Sequence, residues 1–243
     1  MQKDTENWYT SWFDTPYYHI LYKNRDYKEA GTFMENLTSF LKLPKNAEIL
    51  DLACGKGRHA KYLNNLGYSV TGVDLSPQSI AFAKQFENPN LHFVEHDMCL
   101  PYPKKFDAVF NLFTSFGYFE NEEDNIRTIK AIKTELKSNG FAVIDFLNTD
   151  YVKKNLVSSE TKTIEGITFY IKRSIENGYI IKNIRFHHNN EDFVFEERVR
   201  ALTLSDFKNC FSEADVNLFQ CFGDYQLNKF KKETSERLIL IFS

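Results

Sequence analysis

The sequence predicts an α/β fold in which helices cover both faces of a mostly parallel sheet. The main observation is an alternation of strand-like and helix-like segments from about residue 47 to about residue 150, which is typical of such sheets. A second observation is the apolar run Ile49-Leu50-Asp51-Leu52, which ends at a glycine-containing loop. Open parallel sheets bind ligands beyond the carboxyl ends of their strands, so we expect the functional residues there.

Each element of the alternating part has a local signal. The predicted strands are residues 49–52, 69–73, 91–94, 106–112 and 141–147. The predicted helices are residues 58–66, 76–86 and 121–140. Ser76 is predicted to cap the second helix, and Pro77 suits its first turn, where the N–H would be unpaired anyway. Three carboxylates follow Asn121 at the start of the third helix, where the helix dipole favours negative charge.

The pattern changes at about residue 151, where strand-like segments follow one another without helices. The predicted strands are residues 163–174, 179–186 and 193–200. Asn177-Gly178 between the first two is a strong signal for a tight hairpin, so we expect an antiparallel β-ribbon insertion. A short helix capped by Ser205 is expected next. The predicted closing strands are residues 216–222 and 237–242.

The chain is therefore predicted to have four parts. They are an N-terminal helical lid (1–45), a ligand-binding core (46–150), the β insertion (151–202) and the C-terminal part of the core sheet (203–243). The first part is rich in aromatic residues, namely Trp8, Tyr9, Trp12, Phe13, Tyr17, Tyr18, Tyr22 and Tyr27. Two interpretations of this segment stay open: a helix that packs against the core, or a lid over a bound cofactor.

Composition excludes several classes of function. Lys+Arg number 30 and Asp+Glu 33, so the net charge of −3 lacks the footprint of a dedicated nucleic-acid binder. The four cysteines form no CxxC pair, so we expect no metal site and no disulfide framework. We find no signal-peptide pattern and no apolar run long enough to cross a membrane. The sequence therefore predicts a cytoplasmic protein with no membrane partner.

The stretch that follows the first predicted strand is the most informative. Asp51 precedes a small-residue loop containing Gly55 and Gly57, and a helix begins at Arg58. The glycines let the backbone approach a ligand, and the helix start offers free amides. A dinucleotide loop would fit this spacing, since Ala60 stands at the third glycine position. However, the Asp51 carboxylate would repel a pyrophosphate and attract a cofactor that carries an ammonium group.

Three further elements lie at the ends of the next strands. Asp74 can accept hydrogen bonds from both hydroxyls of a ribose. Asp97 can reach an adenine amino group, with Leu75 and Met98 on the two faces of the ring. The fourth element is the segment NLFTSFGY over 111–118. Because parallel strands end at one edge of a sheet, all these elements are expected to converge on one crevice.

Five blocks in this order carry a resemblance to a known family: ILDLACGKG, VDLS, HDM, FDAVFNLFTSFGYF and LKSNGFAVIDF. Over roughly residues 47–150 the chain resembles class I S-adenosylmethionine (SAM)-dependent methyltransferases. The resemblance implies a Rossmann-like, doubly wound sheet of seven strands, the last one antiparallel. It also implies SAM as cofactor and S-adenosylhomocysteine as product. Ala53 departs from the family pattern, since many members have glycine there, but a small residue suffices.

The fourth block lacks the Asn/Asp-Pro-Pro-Tyr motif of methyltransferases that act on base or amide nitrogens. The hairpin insertion and the aromatic N-terminus resemble those of bacterial small-molecule members, of the glycine or sarcosine N-methyltransferase kind, so we expect a small-molecule acceptor and no nucleic acid. The residues predicted to contact the cofactor are Tyr22, Arg25, Asp51, Ala53, Cys54, Gly55, Gly57, Asp74, Leu75, Ser76, Asp97, Met98, Asn111, Leu112 and Phe113.

The acceptor pocket is predicted from residue chemistry and from the position of the N-terminal segment in the family. Residues 1–30 are expected to cover the cofactor. Tyr18, His19, Tyr22, Phe116 and Tyr118 are expected to line the pocket, and Arg25 to hold a carboxylate of the cofactor or of an acid substrate. Tyr18, His19 and Tyr118 are the predicted catalytic residues, with Tyr18 and His19 as candidate bases.

Two other classes of function compete with an enzyme of this kind. One is a non-catalytic SAM-binding or assembly module in which the insertion forms a homodimer interface, an arrangement that an active enzyme could share. The other is an NAD(P)-dependent oxidoreductase. The position of Asp51 and the lack of a catalytic Tyr-x-x-x-Lys pair disfavour the oxidoreductase.

Overall fold

The computed structural model describes residues 12–23, 27–119 and 121–243. The helices are α1 Pro16–Leu21, α2 Tyr27–Phe40, α3 Arg58–Asn65, α4 Pro77–Ala83, α5 Glu122–Glu135, α6 Thr149–Asn155 and α7 Leu204–Ala214. The strands are β1 Glu48–Leu52, β2 Ser69–Asp74, β3 Leu91–Glu95, β4 Phe106–Asn111, β5 Leu136–Leu147, β6 Ser159–Ile164, β7 Ile167–Glu176, β8 Tyr179–His188, β9 Glu191–Arg200, β10 Leu218–Phe222 and β11 Arg237–Phe242. None of the helices in these ranges is long and apolar enough to cross a membrane.

Seven strands form one sheet in the order β10-β11-β5-β4-β1-β2-β3. Neighbouring strands are parallel from β3 across to β5, whereas β11 is antiparallel to both β5 and β10. The prediction of a doubly wound sheet with an antiparallel last strand is therefore confirmed. The strand order reverses between β1 and β4, and ligand crevices of open α/β sheets lie at such a point.

The central sheet buries side chains on both faces. Leu50 of β1 packs in a cluster with Phe207 of α7, while its neighbour Ile49 packs in a second cluster with Phe33 of α2. All four side chains are fully buried. Successive residues of a strand point to opposite faces, so the unbroken apolar run of β1 serves both layers. This packing makes the strand ends a rigid base for the loops that follow them.

The β insertion is a separate antiparallel sheet in the order β6-β7-β8-β9. The predicted insertion is confirmed, but the predicted single strand over 163–174 is wrong. A turn at Glu165-Gly166 divides it, with φ of 51° and 80°, and two successive positive φ values are typical of a two-residue hairpin. The predicted Asn177-Gly178 hairpin is present, with φ of 50° and 78°.

The predicted helix over 121–140 is too long. Helix α5 ends at Glu135, and Leu136 already pairs with Phe106 of β4. Gly140 lies where the register between β4 and β5 shifts, and an added Cβ there would stand 3.0 Å from the Phe106 carbonyl oxygen. The Asn-Gly pair therefore accommodates an irregularity within a strand and does not end a helix.

Helix α7 is capped by Thr203, so the predicted cap at Ser205 is wrong. The Asp206 N–H donates to the Thr203 hydroxyl at 3.4 Å, and the Thr203 N–H donates to the Asp206 carboxylate at 2.8 Å. This reciprocal pair is a capping box, which satisfies two backbone N–H groups at once. Ser205 has Lys208 three residues later and cannot form the same box.

Residues 12–23, called the N-terminal segment below, pack against the β insertion. Trp12 and Leu21 are buried in a cluster with Ile184 and Phe186 of β8. The Trp12 ring centre lies 4.4 Å from that of Phe195 in β9. The segment and the insertion therefore share one small core, separate from the two layers of the central sheet. The part of the lid prediction that concerns residues 1–11 and 24–26 lies outside the described residues.

Candidate functional site

A cavity of about 1300 Å³ opens beyond the carboxyl ends of the central strands, and the N-terminal segment forms part of its wall. Small-molecule sites usually occupy roughly 300–1,000 Å³, so this cavity has room for a cofactor together with an acceptor. The predicted site residues that line it are Tyr18, His19, Tyr22, Asp51, Ala53, Cys54, Gly55, Gly57, Asp74, Leu75, Ser76, Asp97, Met98, Leu112, Phe113 and Tyr118. Asn111 and Phe116 are buried behind the lining, and Arg25 lies outside the described residues.

The loop between β1 and α3 turns its backbone toward the cavity. Ala53, Gly55 and Gly57 all have left-handed φ angles, of 57°, 53° and 77°. A Cβ on Gly57 would lie 2.5 Å from a ring carbon of Phe93, whereas a Cβ on Gly55 would meet nothing within 4 Å. Gly57 is thus required by the protein's own packing. Gly55 leaves open space in which a ligand can approach the backbone.

Asp74, at the end of β2, is fixed by two backbone groups. One carboxylate oxygen accepts the Gly55 N–H at 2.8 Å, and the other accepts the Ser76 N–H at 2.9 Å. Each carboxylate oxygen can accept a further hydrogen bond, so Asp74 is oriented without losing its capacity toward a ligand. Burial raises the pKa of Asp74. The Ser76 hydroxyl also hydrogen-bonds the Asp14 carboxylate, which joins the N-terminal segment to this edge of the cavity.

Asp51 lies beneath the same loop and is 1% exposed. Burial raises its pKa to about 7, and an N–H bond from Ala60 opposes that rise. Among the described residues its Oδ2 has no hydrogen-bond partner. An ammonium group at this position would pair with that oxygen and favour the ionised acid. Burial also raises the pKa of the neighbouring Cys54 thiol, so Cys54 lines the cavity as an uncharged group and not as a nucleophile.

The residues after β3 and β4 complete this end of the cavity. Asp97 accepts the Cys99 N–H at 2.9 Å, which orients its carboxylate. Leu75 and Met98 add apolar lining, and Leu75 is 39% exposed. The Asn111 amide donates to the Leu52 carbonyl oxygen at 3.1 Å and contacts the Met98 sulfur at 3.7 Å. Asn111 therefore supports the end of β1 and the Met98 side chain from behind.

A buried ion pair, which the sequence analysis did not identify, holds the turn after β4. Phe113 and Thr114 have φ of 60° and 61°, a costly conformation for bulky side chains. Asp145 of β5 accepts the Phe113 N–H at 2.8 Å. Arg237 of β11 donates to Asp145 at 2.8 Å and to the Thr114 hydroxyl at 2.9 Å. In this conformation, Phe113 stacks on His59 with 4.4 Å between ring centres. The partners come from strands far apart in sequence, so no local pattern signals them.

The opposite end of the cavity has an aromatic rim. The Phe13 ring centre lies 4.9 Å from that of Tyr18 and 5.6 Å from that of Tyr118. Burial, assisted by the positive charge of Lys56, lowers the pKa of His19 to about 4, so its imidazole is neutral near pH 7. Its Nε2 has no hydrogen-bond partner among the described residues. His19 can therefore exchange a hydrogen bond with a ligand but is a weak base.

Glu197 of β9 is a cavity-lining acid that the sequence analysis missed. It accepts hydrogen bonds from the Trp12 ring nitrogen at 2.8 Å and from the Tyr22 hydroxyl at 2.6 Å. Tyr22, predicted to contact the cofactor, lines the cavity but directs its hydroxyl toward the insertion. Strand alternation places Glu197 on the same face of β9 as Phe195 and Val199. A charge at an apolar position of this kind is the signal that could have revealed it.

Comparison with known proteins finds sequence similarity both in the core of the chain and over most of its length. Residues 49–140 match the family described as a methyltransferase domain. The putative methyltransferase YqeM of Bacillus subtilis (strain 168) is 36% identical over 107 residues, which cover 42% of this chain and 43% of that protein. The dTDP-3-amino-3,6-dideoxy-alpha-D-glucopyranose N,N-dimethyltransferase of Streptomyces fradiae is 28% identical over 211 residues, 81% of this chain and 80% of that protein.

A solved structure extends the similarity to almost the full length. The crystal structure of a S-adenosylmethionine-dependent methyltransferase from Clostridium acetobutylicum ATCC 824 matches with a TM-score of 0.78 at 22% identity. The match covers 93% of this chain and 95% of that one. At this level of identity the likeness shows a shared fold, including the parts outside residues 49–140.

Proposed function

We propose that this chain, a member of the class I S-adenosylmethionine-dependent methyltransferases, transfers a methyl group from SAM to an amino group of a small molecule. The observation that carries the proposal is a single cavity that joins the glycine loop to an aromatic rim bearing a carboxylate. SAM, when bound, supplies a methyl group already activated on its sulfonium. The protein's task is to hold the acceptor in line with that group and to keep water away.

Three features of the loop end suit SAM. The unpartnered oxygen of Asp51 suits the cofactor's ammonium group, and the fixed carboxylate of Asp74 suits the ribose hydroxyls. The open space beside Gly55 admits a ligand against the backbone. Asp97 and Met98 also line the cavity, and we expect Asp97 to accept a hydrogen bond from an adenine amino group, with Met98 as an apolar neighbour. A pyrophosphate-bearing cofactor fits less well because Asp51 would repel it.

The rim suits an acceptor that carries a positive charge before or after methylation. The rings of Phe13, Tyr18 and Tyr118 offer faces that attract a cation, and the carboxylate of Glu197, which is paired with Lys182, lies at the same end of the cavity. The neutral imidazole of His19 can accept a hydrogen bond from an amine and orient its lone pair. The name of the Streptomyces fradiae relative describes an N,N-dimethyltransferase of an amino sugar, which supports a primary or secondary amine as acceptor.

Calorimetric titration with S-adenosylhomocysteine tests the cofactor end. We expect wild-type binding in the micromolar range, and a loss of at least about tenfold, or 1.4 kcal/mol, in Asp74→Ala. Asp192→Ala is the matched control, because Asp192 is an exposed acid at the far hairpin of the insertion. NADH is titrated in parallel. Binding of NADH alone would refute the proposal in favour of an oxidoreductase.

Transfer of labelled methyl groups from SAM tests the acceptor end. We expect transfer to a set of amino sugars and none to the parent sugars, which carry hydroxyl groups at the same positions. Tyr18→Phe, His19→Ala and Tyr118→Phe are each expected to lower turnover. Unchanged turnover in all three would show that the predicted catalytic residues are wrong. Cofactor binding without transfer to any amine would favour the non-catalytic binding module.

The homodimer through the β insertion stays a prediction. The outward face of that sheet exposes Tyr170 and Val194 by 58% and 62%, which is the kind of surface that such an interface would use. Sedimentation of the wild type and of a Tyr170→Ser/Val194→Ser variant would measure whether these residues hold two copies together.

A further inference from the structure

Lys182 and Glu197 form an ion pair at an unusual place in the β insertion. They are direct partners across β8 and β9, and their Nζ and Oε2 atoms lie 3.4 Å apart. Alternation places them on the sheet face that otherwise carries buried apolar residues such as Ile184 and Phe186. Their side chains are only 14% and 19% exposed. Each charge has therefore lost most of its contact with water.

The same two residues bind the N-terminal segment. The Tyr22 hydroxyl lies 2.6 Å and 2.8 Å from the two carboxylate oxygens of Glu197. The Lys182 ammonium hydrogen-bonds that hydroxyl and lies 4.4 Å from the Tyr22 ring centre. Trp12, which is 0% exposed, donates its ring N–H to Glu197 at 2.8 Å. Tyr22 and Trp12 stand at the two ends of the described segment, so one acid fixes both ends.

A gain in stability alone does not explain the presence of a largely buried ion pair at this position. The desolvation of two buried charges offsets much of their attraction, and well-packed apolar residues at the same place are often as stable. A charged pair with directed hydrogen bonds does provide a defined geometry, which apolar packing alone does not. Tyr18 and His19 lie between the two tethered ends and line the cavity. Their placement over the cavity consequently depends on the tether.

We infer that Lys182 and Glu197 are positioning residues, which hold the N-terminal segment across the cavity and thereby set the rate at which cofactor leaves. Their partners Trp12 and Tyr22 transmit this effect, and neither Lys182 nor Glu197 needs to touch the reacting atoms. The segment has further attachments that Glu197→Gln does not remove: Ser76 of the core hydrogen-bonds Asp14, and Tyr17 hydrogen-bonds His188 of β8. The effect on cofactor release rests on the proposed function, whereas the attachment of the N-terminal segment does not.

Tryptophan fluorescence and stopped-flow release of S-adenosylhomocysteine test the inference in a Trp8→Phe background, in which Trp12 is the single tryptophan. Glu197→Gln is expected to shift Trp12 emission to longer wavelength and to speed release by about tenfold or more, as for the loss of a hydrogen bond to a charged group. Glu196→Gln is the matched control, because it makes the same charge change on the exposed face of the same strand.

Three further variants separate the role of the tether from loss of fold. Tyr22→Phe keeps the ion pair and removes one hydroxyl, so it is expected to speed release while the variant still unfolds cooperatively in urea. Lys182→Arg keeps the charge and is expected to restore release close to the wild-type rate, whereas Lys182→Met is not. Wild-type emission and release in both Glu197→Gln and Tyr22→Phe would overturn the inference. If the wild type binds no S-adenosylhomocysteine, the proposed function fails. The emission of Trp12 in Glu197→Gln still shows whether Glu197 holds the N-terminal segment in place.

Discussion

Gly55 and Gly57 lie two positions apart in one loop, yet alanine should act differently at each. At Gly57, φ is 77° and an added Cβ would lie 2.5 Å from the Phe93 ring and 3.2 Å from the Cβ of Ala83. The left-handed conformation costs alanine about 1–2 kcal/mol, and overpacking adds about 1–3 kcal/mol. The less flexible unfolded chain offsets about 0.4–1 kcal/mol of this. We therefore expect Gly57→Ala to lower the free energy of unfolding by about 1–5 kcal/mol.

At Gly55 the steric cost is absent. Its φ is 53°, and no atom lies within 4 Å of the added Cβ, so only the left-handed conformation counts. After the same offset in the unfolded chain, Gly55→Ala should lose about 1 kcal/mol or less. Its methyl group would instead stand in the cavity. We expect this variant to bind S-adenosylhomocysteine about tenfold more weakly, a change of 1.4 kcal/mol.

Urea unfolding of the ligand-free variants and calorimetric titration of the folded Gly55→Ala variant check these expectations. Phe93→Leu in the Gly57→Ala background is the control, because it removes the ring that the new methyl group meets and should recover part of the lost stability. The reasoning is refuted if the two alanine variants unfold at the same urea concentration. Wild-type affinity in Gly55→Ala would show that no ligand approaches that part of the backbone.

Three other predictions follow from the buried ionisable groups. Burial raises the pKa of Asp51 and of Glu135 to about 7. Between about pH 4 and pH 7 the folded chain therefore holds protons that the unfolded chain releases. The ligand-free protein consequently loses stability as the pH rises through this range. Asp51→Asn/Glu135→Gln should flatten this change in melting temperature, and an unaltered slope would contradict the assignment. Asp145→Asn leaves the Arg237 guanidinium without its charged partner and should cost about 3–5 kcal/mol in urea unfolding. Asp145→Leu/Arg237→Met should recover only part of this loss, because the Phe113 N–H still lacks its acceptor; a loss below about 1 kcal/mol in Asp145→Asn would refute the role of the pair. Cys54, whose buried thiol has a raised pKa, should resist iodoacetamide in the folded protein by mass spectrometry, and labelling as fast as in urea would contradict its burial.

The glycine loop illustrates how far local sequence signals reach. The apolar run of β1, Gly55, Gly57 and the acid at the end of β2 together predict a ligand crevice, and the cavity lies there. The prediction works because parallel strands place successive loops at one edge. Local signals do not give the direction of the Asn111 side chain. Its amide is oriented by the Leu52 carbonyl oxygen and the Met98 sulfur, which come from other strands and loops.

The errors in the secondary structure have a common origin. The Asn139-Gly140 pair and Ser205 are each good local signals for a helix end or a cap. A competing interaction decides both cases: the pairing of Leu136 with Phe106 extends β5 backward, and the Thr203–Asp206 box moves the start of α7. The missed turn at Glu165-Gly166 lacks the asparagine or aspartate that usually marks such a hairpin.

The sequence by itself determines the layered fold, the strand ends that bear the candidate cofactor site and the resemblance of residues 49–140 to a methyltransferase domain. These features depend on hydrophobic periodicity and on motifs only a few residues long. Within such short stretches, covalent connectivity fixes how the residues lie relative to one another. Only the tertiary structure decides that the N-terminal segment packs on the β insertion, that Glu197 reaches the cavity and that Asp145 meets Arg237. These contacts join residues that are 92 or more positions apart. Strand alternation can mark Glu197 as a charge on an apolar face, but no local pattern encodes which residues it meets.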